Sequence, residues 1–148
     1  MTEWHAHVTV ATVIQRDQRF LLVEEQGEHG LVLNQPAGHL EPGETLVQAA
    51  VRETLEETGW HVAVQGLVGV ALYTAPANGV TYHRTTFYGQ ALHEQANYQL
   101  DSDIERVVWL SHEEMLTESA RMRSPLVLAA VEQYLRGLKI PLEFIYYS

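Results

Sequence analysis

Three glutamates in the stretch RETLEETG, residues 52–59, stand at positions 53, 56 and 57. On a helix, residues three and four apart are surface neighbours. At about 100° per residue, Glu53 and Glu57 fall within roughly 40° of each other, with Glu56 at their border. Like charges so placed destabilise a helix by about 0.2–0.5 kcal/mol per pair. Lysines four residues away usually relieve such a face, but positions 48, 49, 60 and 61 are Gln, Ala, Trp and His. Carboxylate oxygens are the ligands hard divalent cations prefer, and Mg²⁺ takes a few of them together with waters and substrate phosphate oxygens. A cation would turn the repulsion into shared attraction. The bland alternative is a solvated acidic face, which on charge alone is the commoner case. Arg52 is the one nearby cation, placed to hold Glu56 or Glu44 in position.

The helix that presents these acids is expected over 45–58, where there is no internal Gly or Pro, with Gly59 as its stop. Val47, Val51, Thr54 and Leu55 can pack while the carboxylates gather. Ala49 and Ala50 are small and lie near the acidic side, leaving room for other groups. Pro36 and Gly38 are expected to break any regular element before EPGE at 41–44. Gly38, lacking a side chain, would let its backbone close in on a metal.

Around this core the chain alternates strand and turn signals. HVTVATVIQR (7–16) and RFLLVEEQ (19–26) read as a hairpin about Asp17-Gln18, and LVLNQ (31–35) as a short extended piece. Residues 60–75 read as one or two strands, 80–93 as their partner, 94–103 as a polar loop and 104–111 as another strand. Ser111 with Glu114 is a capping-box pattern for a short helix. Ser124 and Pro125 open a helix that Gly137 follows, with Leu128, Val131 and Leu135 as its packing stripe. A mixed sheet with helices on its faces follows, in one domain over 1–148.

Composition narrows the chemistry. The chain has 148 residues, 46% hydrophobic, and no cysteine. Thiolate zinc sites, disulfides and cysteine nucleophiles are excluded. Nine Lys and Arg face 19 Asp and Glu, a net charge of −10 with no basic stripe, so a nucleic-acid polymer is not an expected partner. The amino terminus lacks a signal-peptide pattern and no apolar run is long enough for a membrane span, so a cytoplasmic location is expected. His5 and His7 share a strand face, but no third zinc ligand is near them in sequence.

Gly38, Glu44, Arg52, Glu53, Glu56, Glu57 and Gly59, at these spacings, resemble the complete Nudix box, here residues 38–60. Thr54 and Trp60 stand where an aliphatic residue is common, away from the charged face. HVTVA, NQPAGHLE, ETLVQAA, the DSDI loop, RSPLV and the late PLE extend the resemblance over nearly the whole chain, toward a phosphatase branch of the family. The resemblance implies an α/β (α+β) fold, an α/β/α sandwich around a mixed β-sheet. It implies Mg²⁺, with Mn²⁺ as a substitute, and hydrolysis of phosphoanhydride bonds. For that branch the substrates are nucleoside tri- and diphosphates and the diphosphates of thiamine and its hydroxymethylpyrimidine precursor, with stepwise release of inorganic phosphate from a monomeric enzyme. Other Nudix enzymes release pyrophosphate or act on other nucleoside-diphosphate derivatives. A non-catalytic Nudix sensor would typically have lost a box glutamate, and a plain acidic interaction domain would ignore Mg²⁺.

The resemblance makes Glu53 and Glu57 metal ligands, Glu56 a ligand or the base, Arg52 their orienter and the Gly38 carbonyl a further ligand. An acid from the loop before the 104–111 strand, Asp101, Asp103 or Glu105, is the other candidate for metal or base. Arg84 could reach a phosphate or be an exposed strand residue. His39 would line the pocket. Arg121 and Arg123 read as structural or phosphate-binding. Trp4, Tyr73, Tyr82 and Trp109 read as core aromatics that could also stack a base.

Overall fold

The structure is a computed structural model and describes residues 3–148; Met1 and Thr2, the start of the stretch read for a leader, lie outside the described residues. Strand β1 (His7–Arg16) turns through Asp17 and Gln18 into β2 (Arg19–Gly27). Both turn residues have positive φ, 51° and 62°, the conformation a two-residue hairpin needs to match strand twist. β3 (Gly30–Asn34) and β4 (Ala37–His39) follow, then helix α1 (Leu46–Thr58). β5 (Trp60–Thr74) and β6 (Thr81–Glu94) form a long hairpin, and β7 (Ile104–Ser111) leads into α2 (His112–Thr117) and α3 (Pro125–Leu135). Single 3₁₀ turns lie at Ser119–Arg121 and Leu142–Phe144.

The strand order is β3-β2-β1-β6-β5, with β4 on β1 and β7 on β2. β1 runs parallel to β6, while every other pairing is antiparallel, so the sheet is mixed. β1 and β2 pair only beside their turn, at Gln15↔Phe20 and Arg16↔Arg19. Beyond that they diverge, and the gap beside β1 is filled by β4.

β1 carries six consecutive buried residues because both faces of the sheet are covered. On one face Val10 packs with Phe87, Leu67 and the α1 residues Ala49 and Ala50. On the other, Val13, Phe20 and Val68 meet Met115 of α2 and Val127 and Val131 of α3. Helix, sheet and helix therefore form the three layers of an α/β/α sandwich.

Several local expectations change. Ala37–His39 is a strand, not a break: Val10 pairs with Gly38 and Thr9 with His39. Pro36 stands just before it, and its carbonyl accepts from Thr12 N–H at 3.1 Å, which extends the ladder by one bond although proline has no N–H to return. Ala49 is fully buried and Ala50 nearly so, so their small side chains bring α1 close onto the sheet rather than leaving room beside the carboxylates. On α3 the fully buried pair is Val127 and Val131; Leu128 packs at the edge and Leu135, in the last turn, is 47% exposed. Residues 60–74 form one strand whose pairing slips at three irregularities. No helix among the described residues is long and apolar enough to cross a membrane.

Candidate active site

Helix α1 is fixed at both ends before its acids matter. Thr45 caps it reciprocally with Gln48, and Gly59, at φ 76°, closes it in the left-handed region with its N–H on Leu55 O. The loop after β6 is tied to this end: Gln95 N–H donates to Gly59 O and Asp101 N–H to Glu56 O at 3.1 Å. That bond delivers Asp101 to the acidic face. Carboxylate oxygens of Glu53, Glu56 and Asp101 lie within 4.8 Å of one another, the only such acid or histidine group of three among the described residues.

Arg52 braces this cluster. Its Nε and Nη2 grip Glu44 at 2.6 and 2.9 Å, and its Nη1 reaches Glu53 at 2.8 Å and Glu56 at 3.3 Å. Nη2 also donates to the His39 carbonyl at 3.0 Å. The alternatives of Glu44 or Glu56 are thus met together, since a guanidinium carries five N–H donors in a fixed fork. Burial raises the Glu53 carboxyl above its ordinary value, against the lowering effect of Arg52. Asp101 is raised by burial and by Asp103.

Gly38 is placed by contact rather than by φ. A Cβ built on it would lie within 2.5 Å of the Glu53 carboxylate atoms. The strand therefore passes directly over the acid, as close as a glycine permits. Glu57 lies outside the trio, beneath β4. It is 7% exposed and accepts from Ala37 N–H at 2.9 Å. Burial pushes its carboxyl up to about 9, with the charges of Glu25, Glu53 and Asp101 adding to the rise. Four carboxylates thus crowd one place, and the buried one is held neutral unless positive charge arrives.

The remaining expected residues separate. Asp103 and Glu105 are exposed and outside the trio; the part of Asp103 that the fold uses is its carbonyl, which accepts from Gln26 N–H. The His39 side chain is exposed on the opposite sheet face, its Nε2 3.0 Å from His7 Nδ1 and its ring beside Tyr82. His5 stacks on His7. Arg84 is buried and bonds to Asn34 and Gln35. Arg121 is paired with Glu24 and Glu118, and Arg123 with Glu25. Trp109 packs against Trp60 with Arg16 over it, and Trp4 is exposed. Glu25 was not singled out in sequence. Its signal was a second consecutive carboxylate in an apolar strand, and it is buried beside Arg123 and Asn34, its carboxyl raised by burial.

The NUDIX domain family matches residues 4–131. The chain is 40% identical over 139 residues to Phosphatase NudJ of Escherichia coli K12, covering 94% of this chain and 90% of that protein, and equally to that of Shigella flexneri. A solved NUDIX hydrolase from Nitrosomonas europaea superposes with a TM-score of 0.94 at 43% identity, over 97% of this chain and 98% of that one. The MutT NUDIX hydrolase of Burkholderia pseudomallei, 21% identical, shares the fold at a TM-score of 0.74 over 88% and 98%. With its acid-bearing helix braced by Arg52 beneath a glycine strand, the chain belongs to the Nudix hydrolase family.

Proposed function

We propose that this hydrolase cleaves phosphoanhydride bonds of nucleoside tri- and diphosphates and of thiamine-type diphosphates, releasing inorganic phosphate, with Mg²⁺ (or Mn²⁺) as its cofactor. The observation that supports it best is the Glu53–Glu56–Asp101 trio, with Arg52 holding Glu53 and Glu56. Three hard oxygen donors at this spacing fit a hard divalent cation better than a soft one. Glu53, Glu56 and Asp101 would hold it, with Glu57 and the Gly38 carbonyl at the buried edge. A bound cation supplies charge to the phosphoryl oxygens and acidifies water at the site.

The chain's own residues do the rest. Arg52 fixes Glu53 and Glu56 so that neither must reorganise as charge develops. Glu56 and Asp101 are the more open acids of the trio, and one of them orients or takes the proton of the attacking water. Glu57 ties α1 to the Ala37–Gly38 strand. The similarity to NudJ supports the phosphatase outcome. We place the protein in the cytoplasm as a monomer, acting on small molecules rather than on nucleic-acid polymers, in keeping with its charge of −10.

The test is a panel of ADP, ATP, thiamine diphosphate and hydroxymethylpyrimidine diphosphate with Mg²⁺, quantifying orthophosphate and pyrophosphate separately. Orthophosphate from each is expected. Pyrophosphate from ATP would move the assignment to a pyrophosphohydrolase, and no turnover of any substrate would leave a ligand sensor.

A further inference from the structure

Arg84 is 6% exposed, yet among the described residues no carboxylate lies within ion-pair distance of it. Its Nη2 donates to two neutral amide oxygens, Asn34 Oδ1 and Gln35 Oε1, both at 3.1 Å. Those amides are themselves fixed: Asn34 Nδ2 donates to Glu25, and Gln35 Nε2 donates to Val127 O of α3 at 2.8 Å. The guanidinium is thus clamped by one nitrogen, and its Nε and Nη1, three N–H donors, have no protein acceptor. The fully sealed unpartnered atoms among the described residues are Thr12 Oγ1, His83 Nδ1 and His112 Nε2. The free donors of Arg84 therefore keep an opening.

That opening is a small cavity of about 70 Å³ between sheet and α3, bounded by Gly69, Ala71, Leu126 and Ala129. Two residues further along β5, Tyr73 borders a larger cleft of about 300 Å³ with Met122, Ser124, Pro125 and Leu128. A cleft of that size suits a small organic group. On the other side, Thr9 of β1 stands between Arg84 and His39, the neighbour of Gly38. Burial pulls the guanidinium down to about 10, while Glu25 and Glu57 lie near enough to raise it. It therefore remains a cation at neutral pH, beside the acids but not neutralised by them. A buried cation with unused donors is costly unless an anion completes it.

We propose that Arg84, clamped by Asn34 and Gln35, is the subsite for the phosphoryl group that stays with the organic part of the substrate. The terminal phosphoryl then lies at the Glu53–Glu56–Asp101 trio and the organic part enters the cleft at Tyr73. The assignment rests on the phosphohydrolase reading above, and it extends it by dividing the substrate between two sites. Arg84 serves as a binding and specificity residue, engaging an oxyanion through the Nε–H and Nη1–H donors that the amide clamp on Nη2 leaves free, directed donors that a lysine does not carry.

Binding of AMP and thiamine monophosphate, with adenosine and thiamine as phosphate-free controls, tests it by calorimetry in the presence of Mg²⁺. No turnover is involved, so the result stands apart from the substrate panel. Each monophosphate should bind wild type more tightly than its control. Arg84→Gln should weaken the monophosphates by about 10–100-fold, the range for charge-assisted hydrogen bonds, and leave the controls unchanged. Arg84→Lys should fall between, and in turnover both variants should raise KM more than they lower kcat. In wild-type protein the Arg84 Nε–H resonance should shift with AMP but not with adenosine, a readout that needs no variant to fold. Monophosphates that bind no better than their controls, folded Arg84 variants that bind like wild type, or an unmoved resonance would each overturn the assignment.

Discussion

Replacing Gly38 by alanine isolates the closest contact in the site. Gly38 has no positive φ, so alanine meets no backbone strain there. What it meets is Glu53: the new Cβ would lie within 2.5 Å of its carboxylate atoms, where 3.4 Å is the near limit of ordinary contact. The carboxylate must retreat by about 1 Å, and a misplacement of that size can cost about 10²-fold in rate. The carboxylate is the flexible end of its side chain, so the fold can yield. The stability loss should sit at the low end of the roughly 1–3 kcal/mol typical of overpacking. The assay is Mg²⁺-dependent phosphate release from ADP by Gly38→Ala, beside its thermal midpoint. Turnover should fall about 100-fold while the midpoint moves only a few degrees. A kcat/KM within about threefold of wild type would refute the claim that the strand seats Glu53.

Two further outcomes follow from the same network. Arg52→Lys keeps the charge but cannot serve Glu44, Glu53, Glu56 and the His39 carbonyl together. It should lower phosphate release about 10–100-fold, the value of one or two charge-assisted bonds, and raise the Mg²⁺ needed for half-activation; an unchanged Mg²⁺ curve would count against the brace. Metal-free protein should lose stability between pH 7 and 9. The Glu57 carboxyl titrates near 9 when folded and near 4.5 when unfolded, so the folded state binds more protons across that interval and ΔG of unfolding falls as pH rises. His39, held below its ordinary 6.5 by burial and His7, has the opposite sign, but only on the acid side of the window. Melting in EDTA should show this slope and Glu57→Gln should flatten it; a midpoint that climbs from pH 7 to 9 would contradict the burial of Glu57.

The helix was readable from sequence because its determinants are local: uninterrupted helix formers over 45–58 and Gly59 at the αL stop. The strand at 37–39 was not, because Pro36 and Gly38 are local breakers and only the gap beside β1 makes a strand of them. Sequence spacing brought Glu53, Glu56 and Glu57 to one face. It could not show that β4 covers Glu57 and passes over Glu53 while leaving Glu56 more open, or that a backbone bond to Glu56 selects Asp101 from the three acids of its loop. Arg84 presented the same problem from the other side: a strand position says nothing of the two amides that bury and clamp it. Leu135 kept the helical spacing of Val131, but the helix ends there and the sheet does not reach it.

The most direct measurement is orthophosphate release from ADP as Mg²⁺ is titrated into metal-free wild type and Glu53→Gln. The account predicts no release in EDTA, saturable activation of wild type by Mg²⁺, and a rate at least about 100-fold lower in Glu53→Gln with its thermal midpoint preserved. Phosphate release that persists without metal, or wild-type turnover by folded Glu53→Gln, would contradict it.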